Sequence, residues 1–248
     1  MSHSLKFNLD ISAVVLAGGF GTRIRHLLPG IPKPMAPVLE RPFLEWVVQY
    51  LEKHGIRDIL LSTGYLSEVI EQHFKSLTTL FSRTHCYQEP EALGTGGGFL
   101  HSVNNHPHQP DIWLVLNGDS LALADLAPLF SRFQDSEVDG VILGLEVEDT
   151  SRYGSLILDR EGNLVEFAEK RPGKGLINAG VYAFRHQLLS DFPEVRPLSF
   201  ETQVFPTLLR QKHVLRVHPV AVPFLDIGTP ETLNQAEAFI KNNQDLFA

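Results

Sequence analysis

Ile11–Ala17 (ISAVVLA), running straight into Gly18-Gly19-Phe20-Gly21-Thr22-Arg23, is the stretch on which the fold turns. A short apolar run rich in β-branched residues and ended by two glycines is the pattern of a strand buried on both faces. Further runs of this kind follow at Ile56–Thr63 and Ile112–Leu116 (IWLVL), with a more polar strand at His85–Tyr87. Between them, Phe43, Val47, Tyr50 and Leu51 recur at helical spacing and Gly55 follows as a stop. Ser67 is placed to cap a helix carrying Val69, Ile70, His73 and Phe74, and a third helix is expected near 96–104. Apolar strands alternating with helices require a mostly parallel sheet covered on two sides. The fold class is therefore α/β, Rossmann-like, with helices on both faces.

After about residue 140 the pattern changes. Val141–Val147, Ser155–Leu158, Leu164–Glu169 and Leu176–Phe184 read as strands with fewer helices between them. Ser199–Leu209 and Pro230–Asn242 read as the last two helices, with Thr229 and Pro230 as N-cap and first residue of the second. No repeat, low-complexity tract or linker divides the chain, so the expectation is one domain over residues 1–248 whose later part is a β-rich subregion. In open α/β sheets the ligand crevice lies beyond the carboxyl ends of the strands. That rule brings Gly18–Arg23, Asn117–Asp119 and Asp226, which follows a strand at Val222–Leu225, to one edge.

Composition narrows the class. The 248 residues carry 21 basic and 29 acidic side chains, a net charge of −8, where a nucleic-acid groove calls for a basic excess. The lone Cys86 excludes a disulfide framework and a cysteine-rich zinc site. No apolar run reaches the length of a membrane span, and the first ten residues do not resemble a signal peptide. The expectation is a cytoplasmic protein that binds neither nucleic acid nor membrane; a homo-oligomer is compatible with the sequence.

Three glycines within four positions after a strand let the backbone approach phosphate oxygens, and successive amides there can form an anion nest. Arg23 adds a planar fork and Lys33, in Pro32-Lys33-Pro34, a compact charge. Position 24 is Ile where a dinucleotide-binding fingerprint needs its third glycine, which disfavours a nicotinamide-dependent oxidoreductase. Asp119, in Asn117-Gly118-Asp119, and Asp226 end different strands and form a pair suited to magnesium, which takes one or two carboxylates plus substrate phosphates. No Gly-x-Ser-x-Gly elbow supports a serine hydrolase. His106-Pro107-His108 sits in a polar loop with no metal-ligating helix behind it, Cys86 reads as packed, and Trp46 and Trp113 read as core.

Leu16 to Arg23 followed by Pro32-Lys33-Pro34-Met35-Ala36-Pro37-Val38 resembles the signature of the sugar-1-phosphate nucleotidyltransferases. The resemblance continues through Arg41-Pro42-Phe43-Leu44-Glu45-Trp46, Gly94-Thr95-Gly96-Gly97, Asn117-Gly118-Asp119, Arg152-Tyr153-Gly154, Phe167-Ala168-Glu169-Lys170, Asn178-Ala179-Gly180 and Asp226-Ile227-Gly228-Thr229-Pro230. It covers nearly the whole chain in order, and is most similar to the D-glycero-α-D-manno-heptose 1-phosphate guanylyltransferases. It implies the nucleotide-diphospho-sugar transferase fold and transfer of a nucleotidyl group from GTP or another nucleoside triphosphate to a sugar 1-phosphate, with magnesium. The part from about 10 to 140 would hold the nucleotide and the part from about 141 to 230 the sugar phosphate. Leu16, Ala17, Gly18, Gly19, Gly21, Thr22, Arg23, Lys33, Glu89, Gly94, Thr95 and Asn117 would line the nucleotide site. Gly154, Glu169, Lys170, Asn178 and Gly180 would line the sugar-phosphate site, and Asp119 and Asp226 would hold the metal. Arg23, Lys33, Asp119 and Asp226 are the expected catalytic set. Glu89 is the expected reader of guanine, with Glu91 as the alternative, because a carboxylate accepts from both N1–H and the N2 amine. Mannose-1-phosphate guanylyltransferase, other hexose-1-phosphate nucleotidyltransferases using UTP, dTTP or CTP, and a regulatory nucleotide-sugar-binding protein are the other readings. Two positions depart from the pattern: Ala92 stands where proline is common and Gly98 where alanine is usual.

Overall fold

Strand β1 (Ile11–Ala17) leads through the glycine loop and a small ladder, β2 (Pro37–Val38) on β3 (Arg41–Pro42), into helix α1 (Phe43–Lys53). Strand β4 (Asp58–Thr63), helix α2 (Ser67–Ser76), strand β5 (Arg83–Gln88), helix α3 (Thr95–Asn105) and strand β6 (Ile112–Asn117) then alternate as expected. The later half opens with β7 (Ser120–Ala122) and the short helix α4 (Ala127–Ser131). Strands β8 (Val138–Val147), β9 (Ser155–Leu158), β10 (Leu164–Ala168) and β11 (Gly175–Arg185) come next. Helix α5 (Phe205–Arg210), strands β12 (Val214–Val220) and β13 (Phe224–Asp226) and helix α6 (Pro230–Asn242) complete the chain. The structure is a computed structural model that describes residues 9–77, 82–151, 154–168 and 172–247.

Among the described residues, one nine-stranded sheet joins both halves. Its first part is parallel, in the order β5, β4, β1, β6. Strand β11 lies antiparallel on β6, β8 antiparallel on β11, and β12 parallel to β8. Strands β9 and β10 extend the sheet from the first half of β11. The chain leaves β1 toward β4 and β5 and then returns to β6 on the other side of β1. That reversal opens a crevice at the carboxyl ends of β1 and β6, where open α/β sheets bind ligands. Leu16 is in register with Asn117, so the glycine loop and the Asn117–Asp119 turn leave the sheet side by side.

The sequence of β1 explains why it is central. Ala13, Val15 and Ala17 pack on one face with Leu44, Val47 and Leu51 of α1 and Ile240 of α6. Val14 packs on the other with Phe99 and Val103 of α3 and with Trp113. Full burial of such a side chain contributes about 1.5–3 kcal/mol, so a polar residue on either face is costly. On the α3 face, Phe200 stacks on Phe184 with ring centroids 5.7 Å apart and touches Phe99 at 5.7 Å. This aromatic cluster seats the segment that follows Ser199.

Four local expectations are corrected. Ser67 does not cap α2; the N-cap is Leu66, in a left-handed conformation with no side-chain bond. The helix expected over Ser199–Leu209 is a π turn at Phe200–Val204 followed by α5. Pro206, in the first turn of α5, supplies no amide to the turn before it, and the wider π turn absorbs the mismatch. His106 is buried, with Nε2 2.9 Å from Asp58 Oδ2 and Nδ1 2.8 Å from the Tyr87 hydroxyl. The strand before Asp226 begins at Phe224 and includes Asp226 itself. No helix among the described residues is long and apolar enough to cross a membrane.

Candidate active site

The crevice holds two cavities that share a wall. The first, about 520 Å³, is lined by Leu16, Ala17, Gly18, Gly19, Gly21, Thr22, Arg23, Lys33, Glu89, Gly94, Thr95 and Asn117, with Phe20, Pro34, Ala92 and Asp119. Every residue expected at the nucleotide faces this one space. Glu91 is exposed and does not line it. The second, about 580 Å³, is lined by Gly154, Asn178, Gly180 and Asp226, with Phe167, Glu201, Thr202 and Phe224 among its other walls. Arg23, Lys33, Asn117 and Asp119 belong to both. Glu169, Lys170, Arg152 and Tyr153 lie outside the described residues. A larger hollow of about 950 Å³ borders α3 and shares no residue with either cavity.

Lys33 marks the junction. Its ammonium donates to Asp119 Oδ2 at 2.7 Å and to Asp226 Oδ1 at 3.5 Å. Antiparallel pairing of β13 on β7, with Asp226 opposite Ser120, brings the two aspartates together from distant parts of the chain. The Lys33 side chain is 14% exposed and the two aspartates 35% and 39%, so the lysine is fixed while the carboxylates open to the crevice. Two carboxylates converging on one cation fit the donor set of magnesium, which completes its shell with substrate phosphates and water. No cluster of three or more His, Cys, Asp or Glu among the described residues offers an all-protein site.

The far wall is a fixed polar network. Asn178 Nδ2 donates to the Tyr182 hydroxyl at 2.6 Å, and Asn178 Oδ1 accepts from the Gly180 amide at 2.9 Å. The Tyr182 hydroxyl donates to Glu201 Oε1 at 3.2 Å, and Ser199 Oγ to Glu201 Oε2 at 3.1 Å. Burial, reinforced by the Glu201 charge, pushes the Tyr182 phenol well above its ordinary pKa, so it remains a donor. Glu201 is a site residue that sequence reasoning missed. Its one signal was Ser199-x-Glu201 at a helix start, which reads as capping. Cys86 is half-buried and takes no part; burial raises its thiol to about 11.

The profile of the nucleotidyl transferase family matches residues 12–243, almost the whole described fold. The chain belongs to the nucleotidyl transferase family. It is 35% identical over 226 residues to the D-glycero-alpha-D-manno-heptose 1-phosphate guanylyltransferase of Campylobacter jejuni, covering 89% of this chain and 96% of that one. It is 34% identical to the mannose-1-phosphate guanylyltransferase of Mycobacterium tuberculosis, over 96% of this chain but 65% of the longer relative. The crystal structure of HddC from Yersinia pseudotuberculosis, complexed with GMP-PN, superposes with a TM-score of 0.80 at 31% identity, covering 93% of this chain and 99% of that one. The family and fold expected from the motifs are the ones found.

Within this nucleotidyl transferase, Gly180 shows why the β11 motif is spelled as it is. Its φ of +71° is open to glycine, and a Cβ there would stand 2.3 Å from Asn117 Nδ2. Gly180→Ala should cost about 1–3 kcal/mol and push Asn117 out of the shared wall. Thermal denaturation should show a drop of ~2–4 °C for each 1 kcal/mol lost; an unchanged midpoint would contradict this packing.

Proposed function

We propose that this nucleotidyl transferase moves a guanylyl group from GTP to D-glycero-α-D-manno-heptose 1-phosphate, giving the GDP-sugar and pyrophosphate. The carrying observation is the pair of cavities that meet on Arg23, Lys33, Asn117 and Asp119. An acceptor phosphate in one and a triphosphate in the other meet at that shared wall. The guanylyltransferase names of the heptose and mannose relatives, and GMP-PN in HddC, support guanine as the base. Identity spread over nearly the full length of the Campylobacter enzyme favours the heptose. Mannose 1-phosphate is the second reading, favoured by the similar identity to the Mycobacterium enzyme.

In this reading a sugar-phosphate oxygen attacks the α-phosphorus, a new P–O bond forms, and the bond to the β-phosphate breaks. Pyrophosphate leaves with the electron pair. The attacking oxygen is anionic near neutral pH, so no side chain has to remove a proton. The protein has to align two polyanions and compensate charge that builds in the transition state. The glycine loop cradles the triphosphate with its amides, Arg23 grips it as a fork, and Lys33 stands between both phosphates. Asp119 and Asp226 would hold magnesium, which supplies positive charge at the phosphate oxygens. Glu89 takes the guanine edge. Asn178 and Glu201 offer acceptors to sugar hydroxyls beside the backbone of Gly154 and Gly180.

Residues to about 140 carry the nucleotide and residues from about 141 to 230 the sugar phosphate, within one domain, and the protein works in the cytoplasm. In this reading Lys170 is assigned to the sugar phosphate and Glu169 to a sugar hydroxyl, as the family resemblance implies. Lys170→Ala should therefore weaken calorimetric binding of sugar 1-phosphate at least tenfold while GTP binding stays within about twofold, since a lost charged hydrogen bond is worth roughly 1.5–3 kcal/mol. Equal loss for both ligands would count against the assignment. The function itself is tested by pyrophosphate release across a panel of nucleoside triphosphates and sugar 1-phosphates. GTP with the heptose should be the fastest pair; release with no dependence on a sugar 1-phosphate would overturn the reading.

A further inference from the structure

Glu89 follows the last residue of β5, and its carboxylate is held on several sides. Ser62, fully buried in β4, donates its hydroxyl to Oε1 at 3.0 Å. The Leu93 amide donates to Oε2 at 3.2 Å, while the Glu89 amide donates to the Thr63 carbonyl at 2.7 Å. Oε1 lies in a notch between two glycines. A Cβ on Gly18 would come within 2.4 Å of it, and a Cβ on Gly98 within 2.6 Å of it and 2.8 Å of Ser62 Oγ. Gly98 lies in the first turn of α3, where glycine weakens a helix relative to alanine. What the chain gains in return is the space that Oε1 and Ser62 Oγ occupy.

We propose that Ser62 is a positioning residue for base selection, acting through Glu89 in a notch that Gly18 and Gly98 together leave open. An ionised carboxylate has about four acceptor positions. Ser62 and the Leu93 amide take two, which leaves two for a ligand in the cavity that Glu89 lines. Held at both oxygens, the carboxylate cannot turn, and its plane is set before the base arrives. Preorganisation of this kind improves binding by removing a conformational cost rather than by adding a contact. The proposal rests on Glu89 being the reader of guanine.

Inosine triphosphate separates the two claims, because hypoxanthine keeps N1–H and lacks the N2 amine. Initial rates with GTP and with inosine triphosphate are compared for the wild type, Ser62→Ala, Gly98→Ala, the double variant and Glu89→Gln. Ser62→Ala should lower the GTP preference by about tenfold, on the scale of one charged hydrogen bond. The loss should appear as a higher KM for GTP, with kcat within about twofold and the KM for sugar 1-phosphate unchanged. Gly98→Ala should do the same by displacing Oε1, and the double variant should be no worse than either single one. The two variants reach the same contact from opposite sides, so one that fails to fold leaves the other to decide. If Glu89→Gln collapses the preference while Ser62→Ala leaves it within twofold of wild type, the positioning role is overturned and the base reader stands. A Ser62→Ala variant that loses both nucleotides equally also overturns it, as a merely structural role. If Glu89→Gln leaves the preference unchanged, the base reading fails and the role of Ser62 falls with it.

Discussion

Asp119→Asn should cut turnover by about 10³-fold, roughly 4 kcal/mol of barrier, and Asp226→Asn should match it within an order of magnitude. The two carboxylates converge on the Lys33 ammonium, at 2.7 and 3.5 Å, so each change removes half of one charge arrangement. Asparagine keeps the shape and one acceptor but loses the charge that would hold magnesium between two phosphates. Both side chains are more than a third exposed, so the fold should tolerate either change with little shift in its denaturation midpoint. Pyrophosphate release at saturating substrates is the readout. Either variant within about tenfold of wild type, ~1.4 kcal/mol, would show that the pair does not serve the reaction.

The second large effect concerns the base. A site built around buried donors of its ligand can reject ligands lacking them by as much as about 10⁴–10⁵. Uracil, thymine and cytosine lack the adjacent donor pair of guanine, and adenine lacks the N1 proton. The wild type should therefore favour GTP in kcat/KM by ~10³ or more. Glu89→Gln turns one acceptor into a donor facing another donor, so the preference should shrink by about a hundredfold, more than pyrophosphate release slows. Kinetics with GTP, ATP, UTP, dTTP and CTP would decide it. A wild type that prefers UTP, dTTP or CTP would show that the guanylyl specificity is wrong while nucleotidyl transfer stands.

The centre of the fold was readable because its strands are apolar on both faces and its punctuation is glycine. ISAVVLA and IWLVL leave no other way to bury both faces, and the topology rule then places Gly18–Arg23 beside Asn117–Asp119. Strand β5 was faint because it carries Arg83, His85 and Gln88 at the sheet edge, where packing on both faces is not required. Leu66 as the cap of α2 had no signal, since a left-handed leucine is a consequence of the turn from Gly64 rather than of its own chemistry. Glu201 was invisible for a different reason. Its orientation depends on Tyr182 and Asn178, some twenty residues earlier on β11, and on a π turn that a helical reading conceals. The partners of Glu89 were hidden in the same way. Ser62 reads as an ordinary strand residue, and only the closure of α3 onto β4 shows what Gly98 leaves room for.

GTP labelled at the α-phosphate, mixed with heptose 1-phosphate and magnesium, bears most directly on the proposed transfer. All label that leaves GTP should appear in the sugar nucleotide, with one pyrophosphate released for each molecule formed. Label recovered as free GMP or GDP, or retained in GTP while the acceptor remains unchanged, would contradict attack of the sugar phosphate on the α-phosphorus.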